Sequence, residues 1–235
     1  RTLFAKETTL QCDLRLDWRN MYGTHTINVF GGWRYNNYSY SYNYMRGYNN
    51  ENDKLPVMNK NMAYLNYGGT NDNWIDMTLY LDANYNYMNK YYLQGSVAAE
   101  TSSRFGRETE GGIQFAGVSW GIFPSLQAGW LVSAEPFFNT DVVNVLKLRA
   151  GIDYSGNDNI SNNAAFTYFE NVQYSDRLMG VKMANIENQA IQWETTRRLN
   201  FGLDMQAFDN RLRISGDVFH NTTNNLLTLK ELSYL

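Results

Sequence analysis

The sequence predicts an all-β fold: about eight antiparallel strands forming part of a transmembrane β-barrel. Three observations carry this reading. The composition holds 15% aromatic residues, 18 Tyr and 18 Gly against 3 Pro, which pairs strand formers with turn formers. Apolar and polar residues alternate with period two along most of the chain, as in strands with one apolar face. The connections between those strands alternate short and long, the pattern of outer-membrane barrels with short periplasmic turns and long extracellular loops. A sandwich in water has no reason to collect its long loops at one end.

The first run, TTLQCDLRLDW, sets Leu10, Cys12, Leu14, Leu16 and Trp18 against Gln11, Asp13, Arg15 and Asp17. The turn NMYG leads into THTINVFGGWRY, where Ile27, Val29, Gly31, Trp33 and Tyr35 share a face. WIDMTLYLDANYNY places Ile75, Met77, Leu79, Leu81 and Ala83 opposite Asp76, Thr78 and Asp82, and a tight MNK turn joins it to YLQGSVAAE. GIFPSLQAGWLV, VLKLRAGIDYSG, WETTRRLNFGLDMQAF and LRISGDVFHNT complete the set, the last two joined by DNR at residues 209–211. Connections are short at 20–23, 88–90 and 209–211, medium at 132–144, and long at 45–73, 102–117 and 156–191. Trp18, Tyr22, Tyr87, Tyr91, Trp130 and Phe208 lie beside the shorter turns, where an interfacial aromatic girdle belongs. The alternation assigns Leu14, Leu79, Leu148 and Leu203 to lipid and Asp13, Thr78, Arg149 and Asp204 to the lumen.

YNNYSYSYNY, residues 35–44, consists only of Tyr, Asn and Ser, which also describes low-complexity tracts. Its place decides for a strand. The second strand climbs from the short NMYG turn, so this stretch extends it above the membrane on the long-loop side. Tyr38, Tyr40, Tyr42 and Tyr44, with Tyr48 beyond, are the candidate binding residues. They are even-numbered, whereas the apolar face before them is odd. A bulge at Asn36 and Asn37 would turn them outward; an unbroken strand turns them to the lumen.

Other readings are weaker. A net charge of -3 and a pI near 5.4 offer no basic stripe for nucleic acid. Cys12 is the single cysteine, so no internal disulfide forms. No apolar run reaches the ~18 residues of a membrane helix, and the mean hydropathy is -0.51, values a membrane barrel shares. GVSWG, residues 117–121, matches G-x-S-x-G, with Ser119 followed by Asp residues and His220. That motif requires a strand, a sharp turn and a helix, and here Ser119 enters another alternating run. His25 and His220 have no ligand-spaced partners, and GNDNISNN, residues 156–163, lacks EF-hand spacing. The expectation is no enzyme, no catalytic residue, no metal and no cofactor. The chain opens on Arg1, without an initiator Met or a signal peptide, which reads as a processed protein or a piece of one.

Several longer segments carry a family likeness. SSRFG, FPSLQAGW, LKLRAGIDYSGNDNI and ANIENQAIQWETTRRLNFGLDMQAFDNRLRISGDVFHNTTNNLL resemble the C-terminal part of SusC-like TonB-dependent transporters, outer-membrane nutrient importers of Bacteroidota. The resemblance is close over residues 102–227 and weaker but compatible over 8–101. It implies that residues 1–235 are part of one TonB-dependent receptor barrel domain, without the plug domain and TonB box. The chain is then an interior fragment of a barrel of about 22 strands, since both of its ends fall on the long-loop side. It further implies import of oligosaccharide or oligopeptide, a SusD-like surface lipoprotein as lid, energisation by the TonB complex through the plug, and no nucleic acid partner. The tyrosines then face substrate or lid. The alternative is a surface or outer-membrane β-protein that binds glycans without transport. On the family's motifs, Trp193 sits at the rim, Glu194, Thr196, Arg198 and Asn200 with Lys147, Arg149 and Asp153 line the lumen, and Gly202 lies where the lumen is crowded.

Overall fold

The computed structural model describes residues 1–48, 54, 62, 64–109, 111–175 and 178–228. Eight strands form one continuous antiparallel sheet in the order β1 (Thr2–Tyr22), β2 (His25–Tyr48), β3 (Tyr64–Tyr87), β4 (Tyr91–Ser102), β6 (Val118–Leu131), β7 (Val143–Asn157), β10 (Glu194–Ala207) and β11 (Leu212–Asn224). These are the eight strands the alternation predicts. Among the described residues three short strands lie in the long connections: β5 (Ile113–Phe115) pairs with β6, and β8 (Tyr168–Ser175) pairs with β9 (Leu178–Asn185). Among the described residues β1 pairs only with β2 and β11 only with β10, so the sheet does not close into an eight-stranded ring.

The tight turns follow from backbone chemistry. Met88 and Asn89 both have positive φ, as do Asp209 and Asn210, the arrangement of two-residue hairpin turns whose twist matches that of the strands they join. Lys90 N–H donates to the Tyr87 carbonyl at 3.0 Å and Arg211 N–H to the Phe208 carbonyl at 3.1 Å, closing each turn. Gly23, at φ +60°, opens the β1–β2 turn in a conformation that costs glycine little.

Register sorts the side chains onto two faces. Leu14 pairs with Trp33, Trp33 with Leu79, Leu79 with Ala99 and Ala99 with Ile122; Leu203 pairs with Leu148 and Leu148 with Trp130. One residue along, Asp13 pairs with Arg34, Arg34 with Thr78 and Thr78 with Glu100. The first face is apolar throughout and the second polar, as expected.

Among the described residues, most of the apolar face carries no second layer. Leu14, Leu16, Phe201 and Val218 are 64%, 75%, 62% and 74% exposed. The accessible area is 17130 Å², whereas a compact water-soluble chain of 27.2 kDa would show about 11,000 Å². A single layer with one bare apolar face is stable only against lipid or a further layer of protein.

The polar face supplies its own partners. Arg34 pairs with Asp13 at 2.8 Å, and Arg198 with Asp153 at 3.0 Å. Tyr80 O–H donates to Asp13 at 3.0 Å. Arg149 bridges Asp204 at 2.8 Å and Asp217 at 3.2 Å. It lies across Gly202, where a Cβ would stand 2.7 Å from its Cζ, so glycine there admits the guanidinium.

At the short-turn end an aromatic belt runs across the strands. His25 and Tyr87 have ring centroids 4.7 Å apart, Tyr87 and Tyr91 6.1 Å, Tyr91 and Trp130 6.4 Å. Glu135, in the connection after β6, accepts from Tyr91 O–H at 2.6 Å and from Trp130 Nε1 at 3.2 Å, and pairs with Lys90 at 3.4 Å. The Tyr91 bond foremost, then that of Trp130, holds its carboxyl below the ordinary value. A depressed carboxylate contributes stability above its unfolded pKa and loses it as pH falls through the folded one. Glu135→Ala should therefore lower the unfolding temperature at pH ~7, and the difference from the parent should vanish at pH ~2; a gap that persists in acid would show that the carboxylate is not its source.

Candidate functional site

The candidate site begins with strand length. A membrane strand needs ~9–11 residues, yet β2 and β3 each have 24. Ten residues separate His25, in the aromatic belt, from Tyr35, so residues from about 36 onward extend past the length a membrane strand needs. The 45–73 loop of the sequence analysis is thus strand over residues 45–48 and 64–73; its middle, apart from residues 54 and 62, lies outside the described residues, as do residues 176 and 177 of the 156–191 connection.

No bulge interrupts this extension. The β1–β2 and β2–β3 registers run unbroken past Asn36 and Asn37, so Tyr38, Tyr40, Tyr42 and Tyr44 fall on the polar face that carries Arg34 and Asp13. Tyr40 and Tyr42 stack at 6.3 Å, and Tyr42 and Tyr44 at 5.7 Å, with interplanar angles of 15° and 19°. Tyr44 O–H donates to Asn66 Oδ1 at 3.1 Å, and its ring crosses Gly68, where a Cβ would stand 2.7 Å from Cε1. Tyr48, near the upper end and 41% exposed, carries the Arg46 guanidinium 4.8 Å from its ring centroid.

Tyr38 turns across to the next strand and stacks on Trp74 at 5.3 Å. Arg104 covers the same indole at 4.3 Å. Its guanidinium also reaches Asn162 Oδ1 at 2.9 Å and the carbonyl and carboxylate of Asp158 at 3.2 and 3.3 Å. These are the oxygens that GNDNISNN offered as cation ligands, and they converge on an arginine side chain. One clasp thus joins the tyrosine row, β3 and two long connections. Trp74, Arg104, Asp158 and Asn162 were not among the candidate site residues. The SSRFG segment marked the neighbourhood of Arg104, but its partners lie 54 and 58 residues away.

Tyr40 pairs with Glu7 on one side and Asp72 on the other. Burial foremost, then the neighbouring Glu7, Tyr40 and Asp72, pushes the Tyr38 phenol up, so it stays protonated and able to donate. The surface offers ring faces, phenol hydroxyls and amides flanked by carboxylates, suited to holding a polar oligomer with flat or apolar faces.

Trp193 stands immediately before β10, at the rim, 4% exposed. It packs on Phe105 at 4.3 Å and edge-on to Phe123 at 6.4 Å. Ser119 does not form a nucleophile elbow. It is buried within β6, donates to the Thr109 carbonyl at 3.4 Å, and is followed by strand as far as Leu131. His220 sits in β11 beside Thr222 at 3.3 Å.

Comparison with known proteins agrees with this architecture. The family described as "TonB dependent receptor-like, beta-barrel" matches residues 2–234. TonB-dependent receptor P39 of Formosa agariphila is 30% identical over 206 residues, 86% of this chain and 19% of that relative. TonB-dependent receptor SusC of Bacteroides thetaiotaomicron is 30% identical over 152 residues, 61% of this chain and 14% of the relative. A solved structure of the RagAB peptide transporter superposes with a TM-score of 0.82 at 20% identity, covering 94% of this chain and 24% of that one. The chain therefore spans about a fifth of the curated relatives it matches.

Proposed function

Because the chain belongs to the β-barrel family of TonB-dependent receptors, we propose that it forms part of the wall of an outer-membrane importer that takes up oligosaccharide or oligopeptide. The whole of residues 1–235 lies in one barrel domain of about 22 strands. Import is energised by the TonB complex through a plug in the lumen, and a SusD-like surface lipoprotein closes over the extracellular side.

The observation that carries this reading is the two-faced single layer. Its apolar face suits lipid, and its polar face carries the ion pairs Asp13–Arg34, Asp153–Arg198 and Asp204–Arg149–Asp217, which suits a lumen wall. Likeness to SusC and to the RagAB peptide transporter supports nutrient import. Tyr38, Tyr40, Tyr42, Tyr44 and Tyr48 are the residues proposed to meet substrate or lid, above the membrane on the face continuous with the lumen.

In the full-length protein, replacing Tyr38, Tyr40, Tyr42 and Tyr44 together by Ser should reduce uptake of the cognate oligomer or recovery of the lid in complex, with barrel assembly unchanged on a heat-modifiability gel. Base- and sugar-type ring stacking is worth on the order of 1 kcal/mol per aromatic, so the loss should reach at least about tenfold. Uptake and lid recovery equal to the parent would remove this surface from the transport path.

A further inference from the structure

The apolar face does not stop at the top of the membrane band everywhere. Between β4 and β6 it continues upward on the β5–β6 hairpin. Trp120 shares the parity of Ile122 and pairs with Ile113, and Phe115 pairs with Val118. Ile113, Phe115 and Val118 are 60%, 65% and 38% exposed, a costly surface for a loop bathed only in water.

Beside this hairpin is a cavity of about 300 Å³. Ile75, Met77 and Thr101, from the lipid-facing rows of β3 and β4, form its lower wall, and Phe105, Val118 and Phe166 line it further, with Ser102, Ser103 and Ser119 among the remaining residues. Arg107 stands in its lining. The Arg107 backbone is fixed at both ends: its N–H donates to Gln189 Oε1 at 3.2 Å and its carbonyl accepts from Gln114 Nε2 at 3.2 Å. Its guanidinium has no ion-pair partner among the described residues.

We propose that this cavity is a binding site for an anionic acyl lipid of the outer leaflet, a phosphorylated glycolipid whose chain enters between the hairpin and β3 while its phosphate meets Arg107. The occupant follows from position. The cavity adjoins the apolar band at the outer interface, where the adjacent medium is the outer leaflet, and an arginine in the lining of an apolar cleft offers a bidentate donor to an anion. The site rests on the reading of the apolar face as lipid-facing. It is separate from the tyrosine surface, which lies on the opposite face.

The test uses the full-length protein extracted from membranes into a mild detergent, stripped of lipid, and titrated with diphosphoryl lipid A under native mass spectrometry. Arg107→Glu and Val118→Asp alter exposed side chains, and assembly is checked by heat-modifiability. The parent should retain lipid A, each variant should bind about tenfold more weakly, and millimolar inorganic phosphate should not displace it. Binding unchanged in both variants would overturn the site, and weakening by Val118→Asp alone would overturn the anionic assignment. Displacement by inorganic phosphate would reduce the site to a phosphate contact and overturn the acyl part. A protein that stays in solution without detergent would overturn the lipid-facing reading itself.

Discussion

Leu81→Arg in the full-length barrel should lower the unfolding free energy by ~2–4 kcal/mol, whereas Thr78→Arg should cost less than about 0.5 kcal/mol. Leu81 pairs with Gly31 on β2 and Val97 on β4, within the bare apolar face, and is 50% exposed. It lies six residues above Tyr87 of the aromatic belt. At a rise of about 3.3 Å per residue and a tilt of about 40°, that is about 15 Å into an apolar band of about 25 Å, close to mid-bilayer. Thr78 lies on the other face between Arg34 and Glu100, where an added guanidinium meets polar neighbours and water rather than lipid. Leu79→Arg, two residues nearer the outer interface, should fall between the two because the penalty is depth-dependent. Urea unfolding in lipid vesicles reads all three, and equal cost at Leu81 and Thr78 would overturn the assignment of faces.

Trp193→Ala should cost ~3–5 kcal/mol, the range for emptying a buried aromatic site, and Trp193→Phe about 1 kcal/mol or less. The indole fills the junction of Phe105 and Phe123 and touches the space above Gly121, where a Cβ would stand 3.0 Å from Trp193 Cδ2. Its buried Nε1–H finds no acceptor among the described residues, so phenylalanine keeps much of the ring packing and removes a donor without a partner. The alanine variant should also loosen the segment after β4, because Phe105 loses the ring it packs on. Intact-protein proteolysis at residues 103–109 would show this as faster cleavage. An alanine variant as stable as the parent would mean that the rim is held by the Arg104 clasp and the strands alone.

The face of almost every strand residue was legible in the chain, because alternation is local: residues i and i+2 share a side whatever the neighbouring strand does. The same locality exposed the short turns, since MNK and DNR carry residues that tolerate positive φ, as Asn89, Asp209 and Asn210 do. Strand ends were less legible. The polar, aromatic stretch after Tyr35 lacks the apolar member of the alternation, so the sequence alone left its face to an undecided bulge, and pairing with β1 and β3 removed that bulge. β8 and β9 were missed because a hairpin standing in water has no buried face to impose a period.

What the sequence by itself determined is therefore the repeat of the chain: eight two-faced strands, their order, and which connections are long. What the tertiary structure alone decided is which side chains meet across strands. Arg149 reaches Asp204 and Asp217 over Gly202, and Arg104 gathers Trp74, Asp158 and Asn162, through register that is fixed by turn geometry and by pairing between distant segments. A one-residue slip would move every one of these groups to the other face, and no local pattern in the chain records where the neighbouring strand will stand.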